Sequence, residues 1–179
     1  MTAFFLVVHV LAAILAVGPV AVAASMFPAA ARALSDRGLS DQGEAGQGTR
    51  IGGVATLRVL HRICRVYAVA GLAVPVFGFA TASGLGVLRD AWVIASVLLT
   101  GAAAAVLALA VLPRQEAVLA RLTTRDSTPA DTPADTPVAK PADGGGGVAR
   151  LAMLTGVFNL LWAAVTVLMI VRPGSTTGV

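Results

Sequence analysis

The stretch "FFLVVHVLAAILAV", residues 4–17, is apolar except for a single imidazole, His9. Its apolar surroundings extend over residues 3–31. That exceeds the roughly 20 helical residues that cross a hydrocarbon core of about 30 Å. A secretory signal would carry Lys or Arg ahead of a shorter apolar core. Here no basic residue precedes the run, so despite the small residues of "AVAAS" it reads as a membrane span. A titratable side chain inside a span is costly and commonly has a purpose.

The rest of the chain follows the same pattern. Of its 179 residues, 57% are hydrophobic and only 12% charged, against roughly 25% charged in a soluble domain. Mean hydropathy is +0.85. Three further runs are long enough to span, at residues 60–82, 91–112 and 151–171. None alternates with the period of two that a β-barrel strand needs. Backbone polar groups in lipid must be satisfied within their own segment, so the spans are helices. The expected fold is an all-α membrane protein, a single four-transmembrane-helix bundle over 1–179.

The basic residues orient it. The connection 32–59 and the start of the second span hold Arg32, Arg37, Arg50, Arg58, Arg62 and Arg65; the connection 113–150 holds Arg114, Arg121, Arg125, Lys140 and Arg150. These make eleven of the thirteen basic residues, and only Arg89 and Arg172 lie on the other side. The positive-inside rule places 32–59 and 113–150 in the cytoplasm of a multi-pass cell-membrane protein, with both termini extracytoplasmic. Residues 32–59 read as a polar loop. Residues 127–147, with a repeated TPAD unit and four closing glycines, read as a disordered linker with almost nothing to bury. The pI near 10.6 does not imply nucleic acid: net charge is only +4, and the basic residues flank apolar blocks, where membrane lipid is the partner.

A rise of 1.5 Å per residue gives each polar group a depth. His9 lies about 9 Å below the outer boundary, and His61 at the cytoplasmic one. A haem bound by both histidines needs both nitrogens on one iron, and about 20 Å of depth between them argues against that pairing within one chain. Arg58, His61, Arg62 and Arg65 fall at i, i+3, i+4 and i+7, on one helix face at the boundary. That is a basic patch for lipid headgroups, with arginine stems lying along the helix. Pro75 cannot donate to the carbonyl of Gly71, so a kink is expected there, with an acceptor at the level of His9. Ser96 and Thr166 lie near the same level, and a neutral His9 donating to such an acceptor is the expected arrangement. Gly18 and Pro19 predict a second kink. Thr100 and Asn159 fall near mid-membrane, where an asparagine bonds across helices.

Helix 1, with His9 and a glycine nine residues later at Gly18, resembles the opening helix of several small bacterial membrane families. The segment "LHRICRVYAVAGLAVPVFG" (residues 60–78) looks like the second helix of an uncharacterised four-helix "predicted integral membrane protein" family. More distant likenesses by pattern are the copper-resistance D type and the HemJ type of protoporphyrinogen oxidase. The latter resemblance implies haem b on a helix-1 histidine, which here is His9.

The sequence itself names no reaction. No Asp, Glu or Lys lies in a span core, and there is no P-loop, GxSxG or HExxH motif. One cysteine, Cys64, excludes an intrachain disulfide and any multi-cysteine metal site. The expectation is a non-enzymatic membrane protein without a resident metal or cofactor. It would act as an accessory or assembly subunit with other subunits or with itself. A His9 haem protein and a small transporter or channel are the alternatives.

Overall fold

The computed structural model describes residues 2–40, 44–126 and 144–174. Among them every regular element is helical: α1 (Thr2–Ser40), α2 (Glu44–Ala70), α3 (Ala73–Leu85), α4 (Ala91–Ala105), a π-helical segment (Val106–Val111), α5 (Leu112–Asp126) and α6 (Gly144–Val171). These elements form four rods that contain helices long and apolar enough to cross a membrane. Their outer surface is apolar: Leu98, Leu109, Leu160 and Ile170 are 69%, 77%, 72% and 75% exposed.

The rods outrun the expected spans, mostly at one end. α1 continues past residue 31 to Ser40, and α2 begins at Glu44, well before residue 60. The third rod passes residue 112 and reaches Asp126. Most of the stretch 32–59, expected as a loop, is therefore helix. Apolar residues at helical spacing explain this: Ala31 and Leu34 on α1 are buried with Val54 and Leu57 on α2. A Cβ on Gly53 would strike the Leu34 side chain, so glycine lets the two helices close. Of the expected linker 127–147, residues 127–143 lie outside the described residues and 144–147 open α6.

Two prolines shape the rods. Pro75 is the third residue of α3 and has no N–H for the carbonyl of Gly71. That carbonyl instead accepts the Val74 N–H at 3.0 Å, while Leu72 N–H reaches back three residues to Val69 at 3.1 Å. The tightened turn at Gly71 and Leu72 separates α2 from α3. A side chain on Gly71 would sit 3.1 Å from the Tyr67 carbonyl. Pro113 follows the π-helical segment, where Leu112 N–H reaches five residues back to Leu107. The wider turn relieves the clash of a proline ring with the carbonyl four residues before it. α1 stays helical through Pro19 and Pro28.

α3 ends on Gly86 in the left-handed conformation (φ 72°), with Val87 N–H bonded to the Ala82 carbonyl at 3.1 Å. This six-to-one bond closes a Schellman motif. α1 packs along α2 and α3 and also meets α6; α4 packs on α6 and α5 on α2. The core threads Phe27, Leu57, Cys64, Val111, Leu151 and Phe158 into one cluster.

Candidate functional site

Polar side chains inside the bundle gather at two places. Toward the end where α1 begins, His9 is 8% exposed and its Nδ1 lies 2.8 Å from the Val74 carbonyl oxygen. A carbonyl only accepts, so Nδ1 carries the proton of this bond, and in the neutral ring Nε2 keeps its lone pair. The ring lies over Gly78, where an added Cβ would come within 2.9 Å of its Cε1. The acceptor is thus at the proline break, but it is Val74 and not Gly71, whose carbonyl is occupied by the Val74 N–H. Ser96 and Thr166 do not partner His9; each hydroxyl donates four residues back in its own helix, to Trp92 at 2.8 Å and Trp162 at 2.9 Å.

The second place lies between α2 and α5. Gln115 is fully buried. Its Oε1 accepts from His61 Nδ1 at 3.0 Å, and its Nε2 donates to the Cys64 sulfur at 3.7 Å. His61 Nε2 is 3.5 Å from Glu116 Oε1, an ion pair when the ring is protonated. Arg114 donates at 2.9 Å to the Ala110 carbonyl of the π-helical segment. The four residues expected to share a basic face are divided. Arg62 and Arg65 are exposed, Arg58 reaches Thr123 Oγ1 at 3.4 Å, and His61 turns half-buried toward α5.

Asn159 donates from Nδ2 to Ser25 Oγ on α1 at 3.1 Å, which joins α6 to α1. Its Oδ1 is buried and has no partner among the described residues. Thr100 bonds within its own helix, to the Ser96 carbonyl at 2.7 Å. About 20 Å of helical rise separates His61 from Val74, the partner of His9, so the two histidines occupy different sites. Among the described residues no group of three or more His, Cys, Asp or Glu side chains is placed to hold a metal ion.

Sequence reasoning missed Gln115, because it assigned everything after residue 112 to a connection. Its signal was an amide two residues beyond a proline, at the end of an apolar run. Gly78, the ring's floor, carried no signal apart from its distance from Pro75.

Comparison with known protein families, curated proteins and solved structures finds no match to this chain. The meaning of the two sites therefore rests on their geometry.

Proposed function

We propose that the chain inserts in the cell membrane as a four-span protein and serves as a non-enzymatic accessory or assembly subunit. Both termini lie outside, and 32–59 and 113–150 lie in the cytoplasm. The eleven basic residues on one side support that orientation. The observation that carries the subunit reading is how the bundle uses its polar groups. His9, His61 and Asn159 each bond to a neighbouring helix, at Val74, Gln115 and Ser25. They fasten a scaffold whose exterior is left apolar. Cross-linking and purification in mild detergent are expected to recover the chain above its own mass, with partner subunits or with itself. Recovery of isolated chains only would overturn the reading. Single-cysteine labelling in 32–59 from either side of the membrane tests the orientation.

One observation favours a second reading, haem binding at His9. Anchoring Nδ1 on a carbonyl fixes the ring and leaves the lone pair on Nε2 to serve as a ligand, the arrangement usual for ligating imidazoles. The residues present supply one axial ligand, and haem would bring redox chemistry to that site. A Soret band lost in His9→Ala would support it. A colourless, folded protein from haem-supplemented cells would overturn it.

A further inference from the structure

α2 carries an exposed face that none of the described residues covers. Arg58, Arg62, Arg65, Val66 and Val69 recur at i, i+4, i+7, i+8 and i+11, so they line one side of the helix. Arg62 and Arg65 are exposed, and among the described residues neither has a carboxylate within ion-pair distance. The nearby carboxylate in sequence register, Glu116 on α5, is engaged with His61. Arg58 is steadied at the edge of the face by Thr123. Toward the proline break Val66 and Val69 on this face, and Leu72 and Val76 at and past the break, are each more than half exposed.

Cations at one end and a bare aliphatic track at the other match an amphiphile with an anionic head. We propose that this face binds an anionic two-chain phospholipid. Arg62 and Arg65 hold the phosphate, Arg58 borders it, and an acyl chain lies along Val66, Val69, Leu72 and Val76. A guanidinium donates two parallel N–H bonds to phosphate oxygens, which a neutral zwitterionic lipid balances with its own cation. The assignment rests on the reading that the chain is membrane-inserted with this end in the cytoplasm, the leaflet side where anionic lipid attracts basic residues.

The test uses the full-length chain in nanodiscs of equal phosphatidylglycerol and phosphatidylcholine. Native mass spectrometry then counts the lipids retained after transfer to detergent. The wild type is expected to retain phosphatidylglycerol in preference. Each guanidinium near an anionic surface is worth about fivefold, so R62Q/R65Q lowers that retention by about twenty-five-fold. R62K/R65K keeps most of it, and both variants keep wild-type helicity. Equal retention of the two lipids, or no change in R62Q/R65Q, overturns the proposal. Displacement of phosphatidylglycerol by equimolar glycerol phosphate would assign the arginines to a soluble phosphate and overturn it too. Carbonate washing of native membranes separates the two failures. A chain that resists extraction but does not discriminate lipids refutes only the lipid site, whereas an extracted chain refutes insertion and the site together.

Discussion

The two halves of the bundle are held together by different means. At the basic end, α1, α2, the π-helical segment and α6 share a single continuous core, with Phe27, Leu57, Val111, Leu151 and Phe158 almost wholly enclosed. At the other end the helices are tied in pairs. α1 is pinned to α3 by His9 on Val74 and Gly78, and α4 is tied to the end of the fourth rod by Arg172, the residue after α6, whose guanidinium lies 5.6 Å from the Trp92 ring centre. Trp92 in turn donates to Asp90 at 3.1 Å. Lipid is as apolar as leucine, so burial alone gives little drive for helices to associate within it. Close packing of large side chains is one remedy, and single polar bonds between small-residue helices are another. The end where α1 begins relies on the second; the basic end uses the first and adds the bond between His61 and Gln115.

This contrast is sharpened by substitutions with graded effects. The largest loss is expected for Phe27→Ala, which opens a cavity in the shared core and costs about 3–5 kcal/mol. A fall in thermal midpoint of the detergent-solubilised protein reads it, and an unchanged midpoint would show that the core contributes little. Next is Gly78→Val, which drives a side chain into the His9 ring at a cost of about 1–3 kcal/mol. Its effect should largely vanish in a His9→Ala background, and a double-mutant cycle showing additivity would break the claim that the ring rests on Gly78. Gln115→Leu removes the partner of both His61 and Cys64, and about 1–2 kcal/mol is expected. Smallest is Asn159→Leu, about 0.6 kcal/mol or less. It loses one bond to Ser25 but also removes a buried oxygen that has no partner among the described residues. A large destabilisation there would mean that Oδ1 is satisfied by something the isolated chain lacks, which would favour the subunit reading.

The number and helical nature of the rods were legible in the sequence because hydropathy alone decides which segments are able to span. Their extent was not. Glycine and polar residues dominate 32–59 and hide the sparse stripe of Leu34, Val54 and Leu57, whose burial depends on a partner helix distant in sequence. The His9 contact was legible to within one turn: Pro75 marked the break, but which carbonyl was left for the ring depended on the Val74 N–H turning back to Gly71. The basic patch was read from helical periodicity, which places side chains on a face but says nothing of neighbours. Gln115 drew His61 away from that face, and only the fold brings Gln115 there.

On a helix of constant pitch, residue spacing alone sets which side chains face each neighbour. The third rod has two, packing on α6 through α4 and on α2 through α5. The π-helical segment between them fits extra chain into its turn, and each residue so added rotates everything beyond it by about 100°. Val106–Val111 thus acts as a swivel in the sequence register. Removing a single residue from it would leave a helix of nearly the same length and hydropathy, with Gln115 aimed at the wrong partner.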